Sequence, residues 1–425
     1  MATGPTRIGH GSVYEAPAGE PRDGYSFGVV SDLAGLRSLE PEWNRLHASV
    51  AGSLVTQRFD WCWNALETLR HWHGATIWCL TARSGGTLVM VWPFAIHAGK
   101  RFRWAQQAGS VYLEYQSLLV AEACDASAII PDAWHLIKRS IPADVLEIRR
   151  VQFGTPLALF LRSQRFVGDA KIEHVTTVDW HEYKDWQDYL ASRGRSYFSG
   201  LRRKRRRLAE QGTIAFEAVE DRQEFYDLLG ILYRDKLLWM RETGKTSPWI
   251  GREDYRVFLT KLAERPTSAG RVAMFVLRLN GKPIATEVSL VSRSRCDWFI
   301  GSFDDQWGKY SPGQILQEFC LKWAFDRGIT YGFGWGEEPY KDHWVNKHDR
   351  IVTYTVPVSP RGLLAFAVSS TRRRIDVLTE ALRARRQRKR PDPKTPASSG
   401  IAKRVRACFR IRPLNFLFAA LPGLR

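Results

Sequence analysis

Long apolar runs are missing from this chain of 425 residues. No stretch reaches the roughly 18 to 20 apolar residues needed to span a bilayer, and the longest candidate, Leu414 to Leu421, is far too short. Cysteine is scarce too. The six residues, Cys62, Cys79, Cys124, Cys296, Cys320 and Cys408, are scattered, with no pairing that suggests zinc, haem attachment or a disulfide framework, so a reducing compartment is expected. Acidic residues are in deficit, 44 against 63 Lys and Arg. Of the net charge of +19, however, +14 lies in Arg361 to Arg425, which holds 17 basic and 3 acidic side chains. The first 360 residues are only mildly basic, which argues against a nucleic-acid binder throughout.

Several chemical signatures are absent as well. Met1 to Gly24 contains Gly and Pro but no apolar signal-peptide core, so a loose tail on a cytoplasmic protein is expected. There is no G-x-S-x-G elbow, and no Cys is tied by sequence to a His partner, which disfavours a covalent acyl-enzyme. His71-Trp72-His73 has no third ligand at a helpful spacing, and no metal is expected.

What is present is enough apolar residue, 44%, to build real cores. Tyr25 to Val30 reads as a strand, followed by a helix carrying Trp43 and Leu46. Phe59, Cys62, Trp63, Leu66 and Leu69 recur at helical spacing up to Trp72. Ala75 to Ala82 and Thr87 to His97 flank the turn Arg83-Ser84-Gly85-Gly86 as a hairpin. Then come a strand at Ser117 to Val120, a helix from Pro131 to Ser140 and a strand at Val145 to Ile148.

The second half repeats that order with sharper signals. Asp221 and Glu224 stand at capping-box spacing before Phe225, Leu228, Leu229 and Leu232. A further helix carries Tyr255, Phe258, Leu259 and Leu262, with Pro266 beyond its end. Arg271 to Leu279 and Pro283 to Val291 form the clearest hairpin, because Asn280-Gly281 suits a turn of positive backbone φ. Arg295 to Phe303 is a third strand. The shared order, helix, helix, hairpin, strands and helix, points to an α/β (α+β) protein built by duplication.

Between the halves runs Arg202-Arg203-Lys204-Arg205-Arg206-Arg207, with Leu201 and Leu208 seven apart. A helix here buries one narrow stripe and solvates the rest. Two readings stand: a solvated connecting helix, or an anion-binding edge on which Arg203 and Arg206 contact substrate. Past Pro360 the chain turns strongly basic, and Ile401 to Arg425 mixes Lys and Arg with Val405, Phe409, Phe416 and Phe418. Such a segment suits an anionic membrane surface, or is a disordered basic tail.

The site candidates gather after the third strand. Ser311-Pro312-Gly313-Gln314 opens a helix marked by Ile315, Leu316, Phe319, Cys320 and Trp323, with Gly328 where it stops. Ser as cap, Pro at the first helical position and Gln three residues on agree about its start. Unpaired N–H groups there attract a phosphate, and Gly313 leaves room for one. The following Gly332-Phe333-Gly334-Trp335-Gly336 lacks the spacing of a dinucleotide fingerprint.

Strand, Tyr310-Ser311-Pro312-Gly313, helix, Gly328, then a glycine and acid turn ending in Tyr340-Lys341 and Trp344 resembles the cellulose-biosynthesis (CelD/BcsL) acetyltransferase family, part of the GNAT superfamily and related to FemAB-type aminoacyl transferases. The resemblance is most specific over Arg271 to Trp344. Where that family commonly has Asp in the strand before the glycine turn, this chain has Gly332. The resemblance implies two tandem GNAT-like domains, with mixed, mostly antiparallel sheets flanked by helices. Their expected limits are 25–190 and 213–360, with a tail at 1–24, a basic connecting helix at 191–212 and a basic tail with an amphipathic helix at 361–425.

It further implies direct transfer from acyl-CoA, such as acetyl-CoA, to an amine or hydroxyl of a small-molecule or saccharide acceptor, in exopolysaccharide, cellulose or cell-envelope precursor metabolism. Ser311, Gly313 and Gln314 would hold the donor phosphates. Glu287, in an apolar strand, is the candidate general base, or a solvent-facing Glu. Asp304 matches an acidic position after the family's third strand, or caps its own loop. Tyr340 would protonate the leaving sulfur while Lys341 and Trp344 line the acceptor site; alternatively the aromatics pack and Lys341 forms an ion pair. Two other functions fit the same residues: aminoacyl transfer from charged tRNA, aided by the arginine run, and a non-catalytic, inner-membrane-associated accessory role in polysaccharide synthesis.

Overall fold

A computed structural model describes residues 13–14, 24–108, 117–164, 169–247, 249–264, 270–336 and 338–367. The expected basic C-terminal tail, from 368 onward, and nearly all of the N-terminal tail lie outside the described residues.

The N-terminal half opens with β1 (Val13–Tyr14) and β2 (Tyr25–Val30), then α1 (Leu33–Ser38), α2 (Glu40–Ser49) and α3 (Phe59–His73). The expected hairpin is β3 (Thr76–Ser84) with β4 (Thr87–Ala98), followed by β5 (Arg103–Gln107) and a short β6 (Leu119–Val120) that pairs with β4. Helix α4 spans Ala126–Ser140, starting five residues earlier than the sequence reading placed it. Asp125 caps it by accepting from Ser127 N–H, and the buried stripe Ile129, Ile130, Ala133, Trp134 and Ile137 carries the helix through Pro131. Strand β7 (Val145–Gln152), α5 (Pro156–Ser163) and β8 (Asp169–Val178) follow.

The C-terminal half begins with α6 (Trp186–Ser192) and the basic helix α7 (Arg195–Ala209), which buries Phe198, Leu201 and Leu208, the narrow stripe anticipated from the leucine spacing. After β9 (Ile214–Val219) comes α8 (Arg222–Thr243), whose cap Asp221 accepts from Glu224 N–H. Then follow α9 (Glu253–Ala263), β10 (Gly270–Leu279) and β11 (Lys282–Ser292). Asn280 and Gly281 both adopt positive φ, 50° and 78°, as an Asn-Gly hairpin turn demands. Strand β12 (Arg295–Phe303), α10 (Pro312–Phe325), β13 (Thr330–Trp335) and β14 (Lys347–Pro357) complete the half.

All strands join one mixed sheet of 14, ordered β1-β2-β3-β4-β5-β7-β14-β8-β13-β12-β11-β10-β9, with β6 off the path. The middle of that order shows an exchange. β8 belongs by sequence to the first half yet pairs with β13, while β14 belongs to the second and pairs with β7; β8 and β14 pair with each other along nine residues. Each half thus ends its sheet with a strand from the other.

Helices cover both faces. On one face α2, α3, α8 and α9 enclose a core common to both halves, where Trp61 meets Phe258 edge-on at 5.1 Å and Phe299 at 6.3 Å. On the other, α4 and α5 cover the first half and α6, α7 and α10 the second. Among the described residues no helix is long and apolar enough to cross a membrane.

Candidate active site

The two halves each contain a strand, a helix and a parallel neighbouring strand, and the comparison shows which of them suits an anionic donor. β5 pairs with β7 from Trp104↔Val145 to Gln106↔Glu147; β12 pairs with β13 from Arg295↔Thr330 to Asp297↔Gly332. In both cases pairing lasts three residues and the strands then part. β13 pairs with β8 along its other edge, and beyond Asp297 and Gly332 its pairing with β12 ends, leaving a V between the two. The helix between the strands differs. At the start of α4 stands the carboxylate of Asp125, which repels a phosphate, whereas α10 starts beside the ammonium of Lys204. Among the described residues, the helix start beside the second V carries a cation and the one beside the first an anion.

The start of α10 departs from the expected cap. Ser311 is left-handed, φ 55° and ψ 55°, and its side chain caps no backbone N–H. A 3-10 turn over Asp305–Tyr310 runs directly into it, and the Ser311 hydroxyl accepts from Lys204 Nζ at 2.7 Å. Of the three N–H groups assigned to donor phosphates, that of Ser311 donates to Gly308 O and that of Gln314 to Ser311 O. The Gly313 N–H has no such bond among the described residues, and a Cβ on Gly313 would sit 3.3 Å from the Phe303 ring. Of those three N–H groups, the one left to face outward at the start of α10 is therefore that of Gly313, with Lys204 beside it.

Arg203 and Arg206, the expected substrate arginines, are exposed on α7. The two basic residues that face α10 are Lys204 and Arg205, the latter 3.4 Å from Glu318. The signal for them was available: positions 204 and 205 lie three and four residues after Leu201 and before Leu208, on the helix's buried side.

Glu287 is not solvent-facing. It is 3% exposed on the α10 side of β11, with its Oε1 accepting from Tyr331 Oη at 2.6 Å and from Ser289 Oγ at 2.8 Å. Gln317 of α10 in turn donates to Tyr331 Oη. Burial raises the Glu287 pKa to about 7, against the lowering effect of these hydrogen bonds. A carboxyl so placed exchanges its proton near neutrality, and the Tyr331 that donates to it is itself fully buried.

Asp304 caps the 3-10 turn, accepting from Gln306 N–H at 3.0 Å. Tyr340 is half-buried at the end of the glycine turn, its ring 6.5 Å from that of Phe333. Lys341 is 2% exposed and pairs with Glu338 at 2.8 Å. Trp344 has no exposed surface: it packs edge-on against Phe198 at 4.8 Å and Tyr197 at 5.9 Å, so it holds α7 against the turn and offers no face to an acceptor. Gly332 finds an explanation in its neighbour. A Cβ at that position would lie 2.1 Å from Asp297 Oδ1, so the Asp297 carboxylate, paired with Arg295 at 2.7 Å, occupies the space at the fork of the V.

Comparison with known proteins agrees with this geometry. Residues 195–342, from the start of α7 to the turn after β13, match the family described as an acetyltransferase (GNAT) domain. No curated protein matches the chain. Among solved structures the chain is similar to FemX, at 13% identity over 74% of this chain and 95% of that one, with a TM-score of 0.52. It is also similar to a tandem GNAT protein from the clavulanic acid biosynthesis pathway, at 12% identity over 79% of this chain and 99% of that one, TM-score 0.42. A third is L-PGS from Bacillus licheniformis, at 12% identity over 73% and 91%, TM-score 0.43. At such identities the FemX likeness speaks for the fold, and the family match carries the assignment: residues 195–342 form a GNAT-type acetyltransferase domain, and the protein is a transferase.

Proposed function

We propose that this domain moves an acyl group from acyl-CoA, acetyl-CoA being the simplest donor, directly to an amine or hydroxyl acceptor in a ternary complex. The observation that carries this reading is the V between β12 and β13, with Gly313 N–H and Lys204 at the start of α10 beside it. Donor phosphates fit that corner because a helix N-terminus and an ammonium both favour negative charge. The acceptor attacks the thioester carbonyl, the new C–N or C–O bond forms, and the C–S bond breaks. Tyr340 gives a proton to the departing thiolate. The acceptor's proton passes to Glu287 through the Tyr331 hydroxyl that already donates to it. In keeping with the resemblance of the 271–344 pattern, the acceptor belongs to exopolysaccharide, cellulose or cell-envelope precursor metabolism.

The test is ligand-linked stability. Acetyl-CoA at 100 times its dissociation constant stabilises the fold by about 2.7 kcal/mol, read as a melting shift, and Lys204→Ala shrinks that shift at fixed ligand concentration. If neither acetyl-CoA nor longer acyl-CoAs at millimolar concentration move the melting temperature, the reading fails. A second reading, aminoacyl transfer from charged tRNA, is favoured by the exposed α7 side chains Arg202, Arg203, Arg206 and Arg207. It requires tRNA binding that survives removal of the segment after Pro360 and weakens when those four arginines are replaced.

A further inference from the structure

Helix α8 lies on the face of the sheet opposite α10, across the V from the donor corner. From it Lys236 reaches β12 and donates from Nζ to Gly301 O at 3.1 Å, on the part of β12 that has already left β13. Lys236 Nζ also lies 4.6 Å from the centroid of the Trp239 ring, and Lys245 Nζ lies 4.9 Å from that same centroid. Two ammonium groups therefore share one indole. Among the described residues neither forms an ion pair with a carboxylate; Glu338, the acid whose charge is felt at Lys236, is bridged to Lys341.

Such a pair is costly in the free protein. Burial pushes the Lys236 pKa down, the charge of Lys245 pushes it the same way, and only Glu338 opposes them. An anion placed between the two lysines removes the repulsion and gains charge-assisted hydrogen bonds. An indole beside them supplies an apolar wall against which a flat or ring-shaped group rests.

We propose that Lys236, Lys245 and Trp239 form the acceptor subsite and select an acceptor that carries a phosphoryl group near its nucleophile. This rests on the acyl transfer assigned to the β12–β13 V. In that arrangement the donor's phosphates bind on the α10 side and the acceptor's phosphate on the α8 side, so the two anions never compete for one set of cations. Gly301 marks the junction, since Lys236 holds the strand that borders the reacting carbonyl.

The test is isothermal titration of the full chain, first with acetyl-CoA and then, with the donor site saturated, with inorganic pyrophosphate as an anion probe. The expected result is one further pyrophosphate site whose affinity falls about ten-fold in Lys236→Met and in Lys245→Met, the loss of one charge-assisted contact each. Lys245 is exposed, so its variant folds even if Lys236→Met does not. No pyrophosphate binding to the saturated protein, or equal affinity in wild type and the Lys245 variant, overturns the proposal. Failure of acetyl-CoA itself to bind is seen in the first titration and counts against the acyl-CoA reading; the variant comparison is then run without donor and decides the lysine site alone.

Discussion

Replacing Glu287 with Gln separates what this buried carboxyl does for stability from what it does for chemistry. In the native protein its pKa stands at about 7, raised by burial from the usual 4.5, and its hydrogen bonds from Tyr331 and Ser289 fall on Oε1. The gap between those values corresponds to about 3 kcal/mol at 1.36 kcal/mol per pH unit. The sign follows from proton counting. Between pH 4.5 and 7 the unfolded chain has lost its proton while the native protein keeps it, so the free energy of unfolding falls as pH rises through that window. Glutamine carries no charge to bury and retains an oxygen for Tyr331 and Ser289.

Relative to wild type, Glu287→Gln is therefore near neutral at pH 5, less about 1 kcal/mol for an amide that finds a poorer partner than a protonated carboxyl did. By pH 8.5 the comparison has shifted in the variant's favour by roughly 2 to 3 kcal/mol. Urea denaturation at the two pH values measures the shift, with m-values checked for constancy. In the same protein kcat falls by about a hundred-fold or more, because the proton acceptor is gone. Parallel stability profiles for wild type and variant would refute the raised pKa. A rise in stability at high pH with kcat unchanged would keep the pKa and remove Glu287 from the proton path.

Gly332→Ala places a methyl against Asp297 Oδ1, where the built Cβ stands at 2.1 Å, and should cost about 1 to 3 kcal/mol in chemical denaturation. Asp297→Ala in the same chain recovers part of that loss if the carboxylate is what fills the fork; no recovery would place the clash elsewhere. Trp344→Ala empties a fully buried site between α7 and the turn and should cost about 3 to 5 kcal/mol. A loss under about 1 kcal/mol in urea titration would show that Trp344 is not a core residue.

Much of the architecture was legible before the structure, for identifiable reasons. The hairpin at Asn280-Gly281, the start of α8 at Asp221 and the end of α10 near Gly328 all rest on local backbone chemistry, and the structure has them. Helix α4 begins before Pro131 because its cap is Asp125, and the buried stripe from Ile129 to Ile137 carries the helix through a proline at its sixth position. The start of α10 was correctly located but its chemistry was not. Ser-Pro-Gly-Gln has the letters of a cap, yet Ser311 adopts the left-handed conformation and its hydroxyl accepts from Lys204, a residue more than a hundred positions away.

The sequence by itself determined the elements, their amphipathic faces and where α10 begins, because propensity, capping and periodicity act over a few residues. Tertiary structure alone decided who meets whom. Alternating apolar residues in β8 and β14 do not say that these strands cross between the halves, since strand pairing is a long-range choice. The leucine spacing marks Lys204 and Arg205 as lying on the buried side of α7, but only the tertiary structure says that α10, with Ser311 and Glu318, is what they meet there. Burial works the same way: only the enclosure of Glu287 beneath α10 turns an ordinary strand carboxyl into one that titrates near neutrality.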